Sequence, residues 1–418
     1  MRRLIGAPGS EGDLGNRTVT TRKKSSHPSP ALEPPSRRFI ARCAVLLFAL
    51  GCLAYGRCLQ GQFLWDDESL IVNNSQVRGV RNLSDNAKSF TENLYSGAGR
   101  QTAYFRPLFG LSLAVDHALW QLRPVGYHLT NVFLHVLAAL ALFAFLQTLF
   151  SDKVLSLLAA VFFTVHPIQT EAVSYISGRS DPLAFIFILL ALTFYLRQLR
   201  NPTALGHAVM GLAYAAGLLS RESALITPVL VLAYHYVFKD KLRLKAFLLL
   251  VVISVAYVAA RSAFLRGGTG MSAEHFLQRT PGFFAAVATY VRLLLWPSDL
   301  HMEYGMRLFS WTQAPVLAGL LVAGALLFWV HRERGRNTRV SFSLAWFFVG
   351  LVPYSSLFPV NAYMAEHWLY VPGAGFFLLL AHFCQKLVEK KKRAGVVAVV
   401  GLALVYALLT VRQNHYWS

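Results

Sequence analysis

The sequence predicts an all-α polytopic membrane protein, and three observations carry that prediction. Of 418 residues, 55% are hydrophobic and 14% are charged, where an ordinary soluble domain carries about a quarter charged. Mean hydropathy is +0.45. The apolar residues fall in runs of membrane length separated by short basic clusters, as expected of helices that cross a bilayer in alternating directions. The net charge of +20 therefore marks loops on one side of a membrane and gives no sign of a nucleic-acid partner. Cys43, Cys52, Cys58 and Cys384 lack metal-ligand spacing, and the first three lie in or beside the first apolar run. Neither a disulfide framework nor a zinc site is indicated.

Residues 1–36, rich in Ser, Pro, Arg and Lys, read as a disordered cytoplasmic tail, and residues 37–418 as the membrane domain. The run at 39–59 is too long for the core of a cleaved signal and reads as a signal anchor. Arg37, Arg38 and Arg42 precede it, while Asp66, Asp67 and Glu68 follow. The N-terminus is thus expected in the cytoplasm and the acids outside. Residues 60–125 form a first external loop, in which Phe105–Trp120 is short, apolar and interrupted by Arg106, Pro107 and Asp116. It is expected to be an interfacial helix.

Further spans are expected at about 128–149, 154–171, 182–197, 204–219, 224–238 and 246–264. A polar hairpin, His166 to Glu171 through Gly178 to Asp181, separates two of them. A second external loop, 265–313, opens near Gly267-Gly268-Thr269-Gly270 and contains the apolar stretch 281–297. A span there would put the basic cluster from His331 to Arg336 outside, so the stretch is expected to be interfacial or re-entrant. Spans at about 314–331, 340–358, 368–387 and 394–411 bring the count to about eleven. The last two turn inside at Lys390-Lys391-Lys392-Arg393.

With that topology the conspicuous polar residues fall on one face: Asp66, Asp67, Glu68, Arg106, His166, Glu171, Arg179, Asp181, Arg221, Glu222, Glu303, Glu366 and His367. Singly, each is an ordinary loop residue, and His135 and His207 inside spans read as hydrogen-bonded packing residues. Together, ionisable groups at one membrane edge mark a functional site. Arginine grips phosphate oxygens and keeps its charge at membrane depth, and a carboxylate takes a proton from an attacking hydroxyl. The combination suits an anionic, lipid-borne substrate. No Gly-rich phosphate loop followed by Lys supports ATP-driven chemistry. The acidic run is weak grounds for a divalent metal, which stays open.

Several blocks carry a resemblance: Phe63-Leu64-Trp65-Asp66-Asp67-Glu68, Tyr104-Phe105-Arg106-Pro107-Leu108, Gly126-Tyr127-His128-Leu129-Thr130-Asn131, and Val165 through Val173. Gly178-Arg179-Ser180-Asp181, Ser220-Arg221-Glu222, Leu357-Phe358-Pro359-Val360 and Ala365 through Pro372 follow in order. The chain resembles the transmembrane and tetratricopeptide-repeat O-mannosyltransferases, within the C-type glycosyltransferase superfamily. The resemblance implies a polyprenyl or dolichyl phosphate sugar as donor, a Ser or Thr hydroxyl of an exported protein as acceptor, and mannose as the sugar. It also implies a catalytic base just after the first span, Asp66 or Asp67, with Glu68 beside it and a lean to Asp67. Arg106, His166, Arg179 and Arg221 are then the candidates to hold the donor phosphate, and Glu171, Asp181, Glu222, Glu366 and His367 further site candidates.

The chain departs from the family pattern in Gly-Arg-Ser-Asp, where Gly-Arg-Ala-Asp is common, and in Ser220-Arg221-Glu222, which replaces a Lys-Glu. Arg412 through Ser418 resembles the lead-in to repeats, but no repeat of about 34 residues is present. A membrane-only member and a truncated sequence are the two expectations. Competing readings keep the fold with a lipid or glycan acceptor, make the chain a non-catalytic scaffold, or make it a transporter. The transporter is disfavoured because charges collect at one face without repeated halves. The expected setting is the bacterial inner membrane with the site in the periplasm, or the endoplasmic reticulum with the site in the lumen.

Overall fold

The protein is described from a computed structural model, covering residues 36–78, 96–99, 104–264, 273–305, 307–355 and 362–417. The expected tail, the Gly267–Gly270 loop start and the Leu357–Val360 block lie outside the described residues, apart from Ser36. Among the described residues every regular element is helical.

The first helix, α1 (Arg37–Tyr55), is capped by Ser36, whose side chain accepts from the Phe39 amide. This satisfies one of the orphan donors every helix start carries. Helix α2 (Pro107–Trp120) corresponds to the expected interfacial segment, and α3 (Pro124–Phe150) follows after a tight turn. Gly126 is required there, because a Cβ would sit 2.1 Å from the Trp120 ring. Helix α4 (Lys153–Val165) breaks at His166-Pro167, since proline removes a ladder donor and displaces the residue before it from helical geometry. The chain resumes as α5 (Thr170–Ser174) at 59° to α4, then as α6 (Ser180–Arg200) and α7 (Ala204–Ser220). Helices α8 (Thr227–Phe238), α9 (Leu244–Phe264), α10 (Ala273–Leu295), α11 (Ala314–Glu333) and α12 (Thr338–Leu351) lead to α13 (Tyr370–Gln413).

By length and composition, six helical segments among the described residues can cross a membrane, or seven if the bent pair counts as one span. The expected eleven is therefore not reached. Ala204–Ser220 and Glu222–Phe238 are apolar and, at 17 residues each, lie at the short limit for a crossing helix. A helix of 17 residues is about 25 Å long against a hydrocarbon core of about 30 Å. The expected span 340–358 falls on α12, which starts at Thr338 and ends at Leu351 before a 3-10 turn to Tyr354. Conversely, α13 is 44 residues long but leaves helical geometry at Lys392 (φ 43°, ψ −112°), inside the basic cluster expected to turn the chain. Gly395 there backs onto Leu387 and Val388, so a side chain would have no room. The stretch 281–297 lies mostly in α10, a continuous helix through Pro281 that packs along α11. It buries Val287, Tyr290 and Leu293.

The packed centre joins α3, α4, α6 and α13 through Phe163, Phe185, Tyr370 and Phe377. His135 sits inside it, bonded through Nδ1 to the Tyr370 hydroxyl (2.8 Å) and through Nε2 to the Thr164 carbonyl (3.2 Å), the packing role read from the sequence. Val45, Leu53, Leu212, Leu321 and Leu408 point outward and are exposed. Such a surface suits lipid, which unlike water does not disfavour exposed apolar side chains.

A buried charge ties the helix ends on the side of the acidic run together. Arg179, 0% exposed, donates from Nε to Asn131 Oδ1 (2.6 Å), from Nη1 to the Ser112 carbonyl (3.2 Å) and from Nη2 to the Tyr127 carbonyl (3.0 Å). Nη2 also pairs with Asp116 Oδ2 at 2.5 Å. Asn131 in turn donates to the carbonyls of Val173, Tyr175 and Ile176. Removing one partner of a buried pair strands the other and costs about 3–5 kcal/mol. Arg179→Met is therefore expected to lower the thermal unfolding midpoint of the detergent-purified chain well below that of the parent. An unchanged midpoint would show that this web does not hold the hairpin.

Candidate active site

The chain leaves the first span through a short 3-10 turn and an extended stretch to Trp65, a bulky residue held at φ 48°. L-residues with large side chains avoid that region, and strain of this kind persists only where the surroundings enforce it. Here the Asp66 amide donates to the Tyr175 hydroxyl at 3.1 Å, and Asp67 Oδ2 accepts from the Leu64 amide at 3.0 Å. Asp67 Oδ1 accepts the Ser177 amide at 2.9 Å and also the Ser177 hydroxyl. The acidic run is thus fastened to the hairpin between α5 and α6.

The three acids do not share one environment. Asp67 is buried at 1% exposure, whereas Asp66 and Glu68 are exposed. Leu64 and Trp65 line a cavity of about 700 Å³. Its other walls come from Pro167, the 297–302 segment and the end of α13 with Tyr416 and Trp417. Asp66 follows directly on these two wall residues and is exposed.

On the other side of the same hairpin stand paired charges. Asp181, in the first turn of α6, accepts from Arg221 Nη1 at 2.6 Å, and the same nitrogen donates to the Ser180 hydroxyl at 2.9 Å. A carboxylate in that position also complements the positive end of the helix. Glu222 takes both Nε (2.8 Å) and Nη2 (2.5 Å) of Arg106, a two-pronged match of fork to carboxylate. Arg106 also lies 4.5 Å over the Tyr104 ring. Glu171 receives the His367 amide at 2.8 Å and bonds His367 Nδ1 at 2.6 Å. Glu366 accepts from the His301 amide (2.5 Å) and the Tyr304 hydroxyl (2.7 Å), and His301 lines the cavity. Arg221, His367, Arg106 and Glu171 all lie within electrostatic reach of Asp181.

Arg106, Glu171, Asp181, Arg221, Glu222, Glu366 and His367 are thus brought together, the acidic turn lies on the hairpin's other contact, and Arg179, His166 and Glu303 stand apart. Arg179 is enclosed by the web described above. His166 is fully buried, accepting from the Ile168 amide at Nδ1 and meeting the Leu294 carbonyl at Nε2. Glu303 makes no bond to the cluster among the described residues. Among the described residues no group of three or more His, Cys, Asp or Glu side chains could hold a metal ion.

Several contributors had no signal in the sequence. Ser177, Tyr175 and Tyr304 are unremarkable in composition and matter only through partners far along the chain. Asp116 registered as an interruption of an apolar helix, and its charge was the available clue.

Burial, the largest influence on Asp67, outweighs the bonds from Leu64 and Ser177 and raises its carboxyl to about 6. A carboxyl raised in the folded state keeps its proton while the unfolded chain ionises, so this residue makes stability fall as pH rises from about 4 to about 6. Asp67→Asn is expected to flatten that part of the profile of thermal unfolding midpoint against pH. An unaltered slope would mean that Asp67 does not titrate there.

No family model matches the chain. It is 27% identical over 401 residues to the protein O-mannosyl-transferase F38B6.6 of Caenorhabditis elegans, covering 90% of this chain and 56% of that protein. To mouse (Mus musculus) protein O-mannosyl-transferase TMTC3 it is 27% identical over 425 residues, covering 89% and 46% respectively. The chain thus spans about half the length of these curated relatives. Among solved structures it is similar to the apo oligosaccharyltransferase of Archaeoglobus fulgidus, with a TM-score of 0.50 and 13% identity, covering 91% of this chain and 56% of that one. That likeness is one of fold. The chain is a multi-pass membrane protein of the C-type glycosyltransferase fold, and the resemblance carried by its ordered sequence blocks is matched by similarity to protein O-mannosyl-transferases along most of its length.

Proposed function

We propose that this chain is a membrane glycosyltransferase that moves a sugar, mannose, from a polyprenyl or dolichyl phosphate to a Ser or Thr hydroxyl of an exported protein. The observation that carries the reading is the acidic turn, in which the exposed Asp66 is clamped through its backbone and follows directly on Leu64 and Trp65 of the cavity wall, together with the pairs Arg221–Asp181 and Arg106–Glu222. The similarity to protein O-mannosyl-transferases supports the choice of sugar and acceptor.

In this reading the acceptor oxygen attacks the anomeric carbon while Asp66 takes the hydroxyl proton. The bond from that carbon to the phosphate oxygen breaks, and the lipid phosphate leaves with the electron pair, inverting the anomeric centre. A base must touch the proton that it removes. That favours Asp66 over the deeply buried Asp67, to which the sequence leans, and gives Asp67 the task of setting the turn. Developing phosphate charge needs fixed cationic donors. Arg106 bonds Glu222 through Nε and Nη2 and Arg221 bonds Asp181 and Ser180 through Nη1, so each keeps part of its fork for a phosphate. His367 is held through Nδ1 by Glu171, which leaves its other ring nitrogen outside that bond. Arg179 and His166 are left out, because their bonds commit them to the scaffold. The sequence-stated orientation, N-terminus in the cytoplasm and site outside, belongs to the same proposal.

Purified chain in detergent, given polyprenyl-phosphate [3H]mannose and a Ser/Thr peptide, is expected to label the peptide. Asp66→Asn should reduce the rate by roughly 10²–10⁴-fold, the range for loss of a positioned base, and Asp67→Asn by less. Full activity in both variants would remove the assignment. Label found in lipid or free glycan, with none in peptide, would move the acceptor to another class. Arg221→Gln is expected to weaken donor use, read as a raised KM for the lipid phosphate sugar, and an unchanged KM would exclude Arg221 from that role.

A further inference from the structure

Helix α6 runs from Asp181 at the candidate site to Arg200 at its other end, and its 21 residues span about 30 Å. At that far end lies a second cavity, of about 640 Å³. The ends of α3 and α6, together with Tyr234 of α8 and the Asp240–Arg243 segment, form its walls. Its charged lining is Arg200, Lys241 and Arg243 against one acid, Asp240.

The positive-inside rule accounts for basic residues at this end but not for their gathering around a concavity, where like charges repel. Three other cations at this end have a partner. Arg339 pairs with Asp152 at 2.9 Å, Arg334 lies 3.9 Å over the Tyr236 ring, and Arg197 lies 5.0 Å over Phe194. Arg200, Lys241 and Arg243 have no such neutralisation: among the described residues none forms an ion pair. Asp240 is itself taken up, with Oδ2 accepting the Tyr234 hydroxyl at 2.5 Å. Each arginine is anchored by a single nitrogen. Arg200 Nη2 donates to the Thr148 carbonyl (3.2 Å) and Arg243 Nη2 to the Leu199 carbonyl (3.4 Å), leaving the rest of each fork free to meet an anion. Leucine side chains supply apolar wall between them. The outward-facing Leu205 and Leu244, 75% and 59% exposed, belong to the helices beside the cavity and continue the apolar exterior up to its level.

We propose that this cavity binds the phosphate-bearing headgroup of an anionic membrane lipid, on the face of the bundle away from the candidate active site. Unmatched cations recognise the phosphate, the arginine forks fix it, and the leucines meet the start of the acyl region. Basic pockets between membrane helices suit such headgroups. The site is independent of the transferase reading, since none of its lining residues belongs to the Asp66 or Asp181 clusters.

The test uses full-length chain in zwitterionic detergent with fluorescent dioctanoyl phosphatidylserine as probe, dioctanoyl phosphatidylcholine for comparison and inorganic phosphate as competitor. The expected result is retention of the serine lipid only. Arg200→Gln with Arg243→Gln should weaken binding roughly 20-fold, at about fivefold per arginine. Arg332→Gln with Arg336→Gln, which removes equal charge outside the cavity, should leave it unchanged. Equal retention of both lipids, equal loss in the two double variants, or displacement by millimolar inorganic phosphate would overturn the proposal, the last because the ligand would then be a soluble anion. Should the first double variant fail to fold, Lys241→Gln alone is expected to lose about fivefold, and no loss would overturn it equally.

Discussion

The interaction on which the half of the molecule around the candidate site depends is the enclosure of the Arg179 guanidinium. A fully buried cation survives only if its charge is balanced and its donors are used. Asp116 balances it, and the oxygens of Asn131, Ser112 and Tyr127 use the remaining donors. Because Asn131 also takes three carbonyls of the hairpin, one buried charge sets the position of the segment 173–180. That segment offers Ser177 to Asp67 on one side and leads into Asp181 on the other. The acidic turn and the arginine pairs are thus held in fixed relation without touching each other.

The candidate site follows a logic common to helical membrane proteins. Carboxylates and arginines hang from helix ends and from the short turns between them, where the backbone leaves the apolar interior and polar groups find partners. Around Asp181 each charged group has a protein partner of opposite sign or a row of donors, so that part of the site rests in a neutralised state. Arginine is suited to this double duty, because one part of its fork holds the scaffold while the rest meets a ligand.

The sequence made the fold class legible because lipid imposes composition directly, through run length and the scarcity of charge. It also located the turn within α13, where Lys392 leaves helical geometry in the middle of four consecutive basic residues. Span count was less legible: hydropathy cannot say where Pro167 bends a run, nor that the helices at 204–220 and 222–238 are only 17 residues each. The position of the acidic run was readable from the cost of placing it in hydrocarbon. Which of its members faces a ligand was not, since burial of Asp67 depends on Ser177, 110 residues later. Arg179 misled for a related reason: an ionisable residue at membrane depth reads as functional by default, while its partner Asn131 lies 48 residues away.

The bond between Asp67 and Ser177 has a bearing on biogenesis. The acidic turn leaves the ribosome long before the hairpin that fastens it, so during insertion only the local bonds between Leu64 and Asp67 are available to hold Trp65 in a left-handed backbone. The geometry around Asp66 can close only after α4 and α5 have entered and the chain has reached the start of α6. A nascent chain halted before that point would carry the acids without the conformation that arranges them.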